Sequence, residues 1–341
     1  MTDTLASAKK VLRDTESAFS LRVAAARLRD LALIPPIIVI IIIGAVVSPA
    51  FLTRSNLQDV LVSMSWVALL VLAEGIILLT GKMDLSLEST VGLAPGVAAW
   101  LTLPKGINHG VHLVPSAWAV PIALAVGVLV GVVNGVLVVW LGLNAFIVTL
   151  GMLITLRGLL TGISSGQTFF GMGKSMMYLG TANWLGIPGP IWVFVIAYAV
   201  AIFALRYLRA GRALYAIGGN AEAARAAGIR TNRTIFAALV LGGLLAALAG
   251  IMLSGHLASV ASNQGSGAIF TVFAAAVIGG ISLNGGKGSI FGALTGILLL
   301  FLVQNVLTFA GVSGEWFDFL DGAVILAVLV ITRLVSGKAS D

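Results

Sequence analysis

The sequence lacks two features on which many soluble proteins depend. It contains no cysteine, which excludes disulfide bonds and thiolate metal sites. Only 10% of its 341 residues are charged, whereas a soluble domain carries about 25%. Hydrophobic residues make up 59% of the chain, and the apolar runs leave no interval for a separate soluble domain. This composition predicts an all-α integral membrane protein in contact with lipid.

Ten apolar stretches have the length of membrane spans or come close to it, because a span needs about 20 mostly apolar residues. The third stretch is short and contains Gly92, Pro95 and Gly96, and little more than Gly142 separates the fourth from the fifth. We place the spans near residues 31–49, 58–80, 88–103, 117–141, 144–163, 191–208, 235–253, 268–284, 290–311 and 318–334.

The basic residues predict the orientation of these spans. With an even number of crossings, 16 of the 20 lysines and arginines fall on the side of the N-terminus, and Arg157 falls within a span. Because basic residues accumulate on the cytoplasmic side, both termini are predicted to be cytoplasmic. The domain then covers residues 31–334, between an N-terminal segment at 1–30 and a tail at 335–341. The net charge of +7 has the same explanation and does not indicate a nucleic-acid partner.

Three sequence features resemble a phosphate-binding, a metal-binding or a catalytic site, but each lacks a required residue or spacing. Gly173-Lys174-Ser175 ends like a phosphate-binding loop, but the required glycine five positions before Gly173 is Thr168. His109, His112 and His256 have no carboxylate companion, so we predict no metal site. Ser254 precedes His256 too closely for a nucleophile and its base. We therefore predict no catalytic residue, no cofactor in this chain and no enzyme activity.

Few ionisable residues lie within the predicted spans, chiefly Glu74 and Arg157, with Asp318 and Asp321 at the mouth of the last span. A charge near the middle of a membrane costs about 2.5–3.5 kcal/mol, so each needs a partner or a route to water. Arg157 would either extend towards the outer surface or bond to backbone carbonyls. The other polar groups in the spans are neutral, which suits an uncharged polyol better than an ion. The residues predicted to line a solute path are Glu74, Phe146, Thr149 and Asn305.

The longest predicted inner loop, residues 209–234, contains a short helix. Asn220 is a suitable N-cap, Ala221 to Ala227 are mostly strong helix formers, and Gly228 supplies a stop. An exposed alanine-rich helix flanked by arginines fits a docking element for a partner. An ordinary amphipathic connector fits the same pattern.

This loop, GRALYAIGGNAEAARAAGI, resembles the corresponding region of permeases from ribose-, xylose- and galactose-type ABC importers. The resemblance extends to AALVLGGLLAALAGIML and AAAVIGGISLNGGKGSIFGALTGILLL after it, and to MDLS and FIVTLGMLITLRGL before it. It covers residues 31 to 334, and branched-chain amino acid permeases are more distant relatives. Lys82 and Glu88 depart from the small residues that usually surround the MDLS motif.

The resemblance implies a permease subunit of the bacterial inner membrane that works by alternating access. It implies a second permease copy or a paralogue, a cytoplasmic ATPase with two nucleotide-binding domains that binds ATP–Mg, and an extracytoplasmic solute-binding protein. It also implies a coupling helix that receives the movement of the ATPase. The coupling residues would be Asn220, Ala221, Glu222, Ala223, Ala224, Arg225, Gly228 and Ile229.

Two other functions remain open from the residues alone. An ion-coupled secondary transporter would need titratable ligands at mid-depth, of which Glu74 is the evident one. A membrane-embedded enzyme would need a nucleophile beside a base. The solute stays open among pentoses, hexoses, modified sugars, polyols and nucleoside-like molecules.

Overall fold

The computed structural model describes residues 33–105 and 110–317, together with positions 319, 322, 323, 326 and 330. The predicted N-terminal segment at 1–30, the tail at 335–341 and most of the tenth span at 318–334 lie outside the described residues. Asp318, Asp321 and His109 also lie outside them.

Helices dominate the described residues, as the composition predicts. The helices are α1 Ile34–Val47, α2 Arg54–Leu78, α3 Leu87–Thr102, α4 Ala119–Gly135, α5 Ala145–Ser164, α6 Lys174–Thr181, α7 Gly189–Tyr207, α8 Arg209–Gly219, α9 Ala221–Ala226, α10 Thr231–Leu257, α11 Ala268–Ile278 and α12 Ile290–Phe309. Single turns of 3₁₀-helix cover Ser116–Trp118 and Gly314–Trp316, and a π-helical segment, Val136–Trp140, continues α4.

Two short ribbons join the ends of helices. Strand β1 (Phe169–Phe170) pairs antiparallel with β4 (Ser259–Val260), and β2 (Asn183–Trp184) pairs antiparallel with β3 (Ile187–Pro188). The first ribbon ties the segment after α5 to the segment after α10.

Six helical segments of the described chain are long and apolar enough to cross a membrane. They are α2, Ser116–Trp140, α5, α7, α10 and α12. The helices α1 and α11 are apolar but shorter. Each of the first nine predicted spans coincides with a helix, although the number of crossings and the position of the termini stay predictions.

Helix α3 agrees with the short span predicted at 88–103, whereas α11 ends earlier than the span predicted for it. Helix α3 has 16 residues, is almost entirely buried and carries Glu88 in its first turn. Helix α11 ends at Ile278, six residues before the predicted end of that span. Gly280 has a φ of +82°, and a loop at 279–289 follows. A glycine adopts this left-handed conformation without strain, which ends the helix early.

The core of the bundle lies around α2 and α10, whose side chains are largely buried. Helix α10 packs on α2, α3 and α4, and α12 packs on α1, α2 and α11. Helix α4 approaches α10 closely, since a methyl group at Gly127 or Gly131 would meet the carbonyl oxygens of Gly243 and Leu239. The glycines spaced by four residues in α4 therefore serve helix packing.

Helix α5 also has two glycines spaced by four residues, Gly158 and Gly162, but they pack against no other helix among the described residues. A methyl group built at Gly158 or Gly162 would meet nothing within 4 Å among the described residues. Most of the surface of α5 faces away from the bundle.

Candidate functional site

Helix α9 has the ends that the sequence predicts. The Asn220 side chain accepts a hydrogen bond from the backbone N–H of Ala223 at 2.9 Å, which satisfies one of the free donors of the first turn. The helix ends at Ala226, one residue before the predicted end. Gly228 has a φ of +82°, as expected of a glycine that terminates a helix.

One side of α9 is buried and the rest is exposed. Ala224 packs against the core of the bundle and is 4% exposed, whereas Ala221, Glu222, Ala223 and Arg225 are exposed. The short helix therefore presents a free surface while Ala224 fixes it to the bundle. A substitution at Ala224 would disturb folding, so Ala223 is the cleaner position for testing this surface.

Helix α8, which precedes α9, meets two other chain segments at a junction of glycines. A methyl group at Gly218 would collide with the carbonyl oxygen of Leu79 and the amide nitrogen of Gly286. The Gly286 N–H donates to the Leu79 carbonyl at 3.1 Å, and the Tyr215 hydroxyl donates to the Gly288 carbonyl at 3.1 Å. We call this contact of Leu79, Gly218 and Gly286 the glycine junction. It joins α8 to the end of α2 and to the loop that precedes α12.

A cluster of buried polar groups lies between α2, α4 and the turn before α3. The Asp84 N–H donates to both carboxyl oxygens of Glu74, at 3.3 and 3.2 Å. The Asp84 carboxyl accepts from the Ser86 hydroxyl at 2.6 Å and from the Asn134 amide at 3.0 Å. The MDLS motif thus places its aspartate and serine in the core, and Lys82 lies just before them in the turn.

A second polar network contains the ion pair that the sequence analysis missed. Arg157 lies 3.2 Å from the Glu88 carboxyl, with side chains that are 19% and 7% exposed. Arg157 also donates to the Gln264 carbonyl at 2.8 Å, and the other oxygen of Glu88 accepts from the Ile269 N–H at 3.3 Å. Arg157 therefore bonds both to a backbone carbonyl and to a carboxylate on α3.

The signal for this pair was present in the sequence. A lone arginine within a span needs a buried partner of opposite charge, and Glu88 stands out as an acid at the start of an apolar helix. The departure from the family pattern at Glu88 is thus explained by pairing with Arg157.

Next to this network lies a cavity of about 420 Å³. We call it the neutral cavity, because none of its lining side chains is ionisable. It lies between α2, the end of α10, the loop after α10, α11 and α12. Its lining residues are Trp66, Val67, Leu253, Leu257, Ala261, Asn263, Gln264, Gly265, Ser266, Gly267, Ala268, Thr271, Phe301 and Gln304.

The structure does not bring the four predicted path residues together. Glu74 is buried in the carboxyl cluster, and the Thr149 hydroxyl donates to the Ala145 carbonyl at 2.8 Å. Phe146 is half-exposed on α5, and Asn305 exchanges two hydrogen bonds with Asn56 at 2.9 and 3.0 Å. None of the four lines the neutral cavity, and their role in a solute path stays a prediction.

The cavity residues escaped the sequence analysis because five separate segments supply them. Trp66, Gln264 and Phe301 carry no local sequence pattern that marks them. Only the packing of α2 against α11 and α12 brings them to one place.

Comparisons with known proteins agree with one another. Residues 56–329 match the family described as branched-chain amino acid transport system / permease component. The chain is 36% identical over 305 residues to a ribose import permease protein of Escherichia coli (strain K12), covering 86% of this chain and 91% of the relative. It is 33% identical over 303 residues to an autoinducer 2 import system permease protein of Enterobacter sp. (strain 638), covering 89% and 86%. No solved structure matches the chain.

These relatives are permease subunits and not enzymes. The family match covers well over half of the chain, and the long apolar helices agree with it. The chain therefore belongs to the family of permease components of branched-chain amino acid transport systems, and it is a multi-pass permease of the inner membrane.

Proposed function

We propose that this permease is the membrane subunit of an ATP-driven importer for a sugar or a sugar-like solute. The proposal rests on α9, an exposed capped helix that is tied through α8 to the glycine junction. The similarity to a ribose import permease and to an autoinducer 2 import permease supports it.

The coupling works through contacts on the predicted cytoplasmic side. The exposed face of α9, with Ala221, Glu222, Ala223 and Arg225, receives the partner ATPase. Movement of α9 is passed to α8, because the helices are adjacent and Ala224 holds α9 against the core. The glycine junction then transmits the movement to the end of α2 and to the loop before α12. Both helices carry residues that line the neutral cavity, Trp66 and Val67 on α2 and Phe301 and Gln304 on α12.

The remaining parts of the importer are separate chains. A cytoplasmic ATPase with two nucleotide-binding domains binds ATP–Mg and supplies the energy. A second copy of this permease or a paralogue completes the membrane unit, and an extracytoplasmic binding protein delivers the solute. The sequence of this chain supplies the path and the coupling surface.

The chemistry of the neutral cavity favours a sugar over an amino acid. A zwitterionic amino acid needs groups that balance a carboxylate and an ammonium, and burying either without a partner is costly. The lining side chains offer amides, hydroxyls and aromatic faces, and no charge. Such groups suit the hydroxyls and the apolar face of an uncharged sugar.

The test is uptake by liposomes that contain the permease, its ATPase and its binding protein. D-ribose, D-xylose, D-galactose and leucine are compared, each with and without ATP, and each component is omitted in turn. We expect uptake of a sugar that requires ATP and all components. Uptake by the permease alone, driven by a proton or sodium gradient, would overturn the proposal in favour of secondary transport.

A further inference from the structure

Helix α7 presents an apolar stripe to the outside of the bundle. Ile196, Val200, Phe203 and Tyr207 are each more than half exposed. Side chains three or four positions apart lie on one face of a helix, so the four form a single line. On the opposite face, Tyr198 is buried, and its hydroxyl donates to a backbone carbonyl of α2 at 2.9 Å. We call the four exposed residues the α7 stripe.

The length of the α7 stripe matches one leaflet of a membrane. The helix rises about 16 Å between Ile196 and Tyr207, at about 1.5 Å per residue. The hydrocarbon core of a bilayer is about 30 Å thick, so one leaflet contributes about half of that. A single acyl chain therefore has the length to cover the stripe.

Three exposed arginines lie where the stripe ends, at the corner between α7 and α8. The guanidinium carbon Cζ of Arg206 lies 5.5 Å from the centre of the Tyr207 ring. Arg212 Nη1 donates to the Tyr207 carbonyl at 3.4 Å, and Arg209 is the first residue of α8. We call Arg206, Arg209 and Arg212 the arginine corner. The bias of basic residues towards the cytoplasm explains their side of the membrane, but not the approach of two of them to one tyrosine.

The arginine corner lacks carboxylate partners in the part of the chain that the structure describes. The ion pair there joins Glu88 to Arg157, and no carboxylate lies within ion-pair distance of the three corner arginines. Guanidinium groups bind phosphate oxygens through paired hydrogen bonds. Basic residues just cytoplasmic of a membrane span attract anionic lipid headgroups. The corner therefore complements a phosphate at the membrane surface.

We propose that the α7 stripe and the arginine corner together bind one anionic phospholipid, such as phosphatidylglycerol, in the predicted cytoplasmic leaflet. An acyl chain lies along the stripe, and the phosphate accepts hydrogen bonds from the three arginines. Arg209 and Arg212 belong to the start of α8, which leads to α9. The bound headgroup therefore steadies α8 and supports coupling. This effect on coupling rests on the proposed function, whereas the binding of the lipid does not.

Native mass spectrometry of the purified full chain tests the binding. Phosphatidylglycerol and phosphatidylcholine with the same acyl chains are titrated in turn, with and without inorganic phosphate. We expect the parent to bind phosphatidylglycerol about tenfold more tightly than phosphatidylcholine. The triple variant Arg206→Gln, Arg209→Gln, Arg212→Gln is expected to bind both lipids equally. Arg54→Gln removes one exposed charge at the other end of α2 and is expected to keep the preference.

The absence of native cysteine allows a separate test of the α7 stripe by spin labelling. A label is attached to Val200→Cys in nanodiscs, and to Gln167→Cys as an exposed loop control. We expect the label at position 200 to collide mainly with molecular oxygen, which dissolves in lipid. The label at position 167 is expected to collide mainly with a water-soluble nickel complex.

ATP-driven uptake tests the effect on coupling. The reconstituted importer is compared in liposomes of phosphatidylcholine alone and of phosphatidylcholine mixed equally with phosphatidylglycerol. We expect uptake by the parent to be several-fold faster in the mixed membrane. The triple variant is expected to transport at the same, slower rate in both membranes, and Arg54→Gln is expected to behave as the parent.

Each outcome bears on one part of the proposal. Equal binding of the two lipids by the parent, or a preference that the triple variant keeps, overturns the lipid site. Displacement of phosphatidylglycerol by inorganic phosphate indicates a free-anion site and also overturns it. A label at position 200 that collides with neither reagent shows that a second copy or another segment covers the stripe, and overturns its contact with lipid.

The uptake results separate this proposal from the importer proposal. Selective lipid binding with equal uptake by the parent in both membranes overturns the effect on coupling and leaves the lipid site standing. Selective lipid binding with no ATP-driven uptake in either membrane overturns the importer proposal and leaves the lipid site standing.

Discussion

At the residue scale, the Glu88–Arg157 ion pair links two helices of the bundle. Arg157 lies on α5, Glu88 on α3, and both bond to backbone groups beside α11. A buried ion pair contributes little compared with apolar packing, but the loss of one partner leaves a buried charge unbalanced. The pair is therefore most informative when its members are removed singly and together.

We expect Arg157→Met to destabilise the protein by about 3–5 kcal/mol, because Glu88 is then buried without its partner. The double variant Arg157→Met with Glu88→Gln should recover much of that loss. The measurement is the thermal unfolding midpoint of the purified protein, with Arg54→Met as the control, since Arg54 is exposed and bonds to the Gly186 carbonyl. An Arg157→Met protein as stable as the parent would show that the pair is not structural.

Side-chain polarity marked Glu74 and Arg157 in the sequence, but their partners could not be predicted. Glu74 meets Asp84 ten residues later, and Arg157 meets Glu88 from 69 positions away. The first contact needs the turn after α2 to fold back into the core. The second needs α3 to pack against α5. Neither requirement leaves a local pattern.

At the element scale, α9 was predictable because its signals are local. An asparagine cap, a run of alanines and a terminal glycine lie within nine residues, and the structure confirms all three. The early end of α11 at Ile278 was missed, because the apolar sequence continues past the glycines that end the helix. Hydropathy alone does not register a glycine with a positive φ.

The cap of α9 gives the first prediction at this scale. We expect Asn220→Ala to destabilise α9 by about 1 kcal/mol, since Ala223 N–H loses its acceptor. ATP-driven uptake should fall while the global unfolding midpoint changes little. The matched variant Asn220→Ser keeps a capping oxygen and should retain uptake. If both variants lost uptake to the same extent, the loss could not be attributed to the missing cap, and the prediction would be wrong.

The glycine junction gives the second prediction at this scale, and the neighbouring Gly219 provides the control. Gly218→Ala should cost about 1–3 kcal/mol, because its methyl group collides with backbone atoms of Leu79 and Gly286 that cannot move freely. Gly219→Ala should be tolerated, since nothing lies within 4 Å of the added methyl. Uptake and thermal stability of the two variants are compared. If the two variants had the same uptake and the same thermal stability, close packing at Gly218 would be contradicted.

At the scale of the whole molecule, two helices connect the glycine junction with the neutral cavity. Helix α2 ends at Leu78, beside the glycine junction, and carries Trp66 in the wall of the neutral cavity. Helix α12 begins just after the loop at 279–289 and carries Phe301 and Gln304. Under the proposed coupling, a shift at the junction would reach the cavity along these two helices.

The buried Glu74 and Asp84 raise the question of ion coupling at this scale. Two carboxyl groups close together in a membrane protein are a common feature of proton pathways. In an ATP-driven importer they serve the packing of the turn before α3, so we expect uptake to be unchanged when a protonophore dissipates the proton gradient. Uptake that collapses with the gradient would contradict this and make Glu74 the residue to study.

The most direct test of the central claim is Ala223→Arg in the reconstituted importer. Ala223 is exposed on α9, so the substitution leaves the core intact, and Gln167→Arg serves as a control on a distant loop. Assembly with the ATPase, solute-stimulated ATP hydrolysis and uptake are measured together on the same preparation. The account predicts that Ala223→Arg folds normally and loses uptake, while Gln167→Arg behaves as the parent. Full ATP-driven uptake by Ala223→Arg would contradict the assignment of α9 as the coupling element.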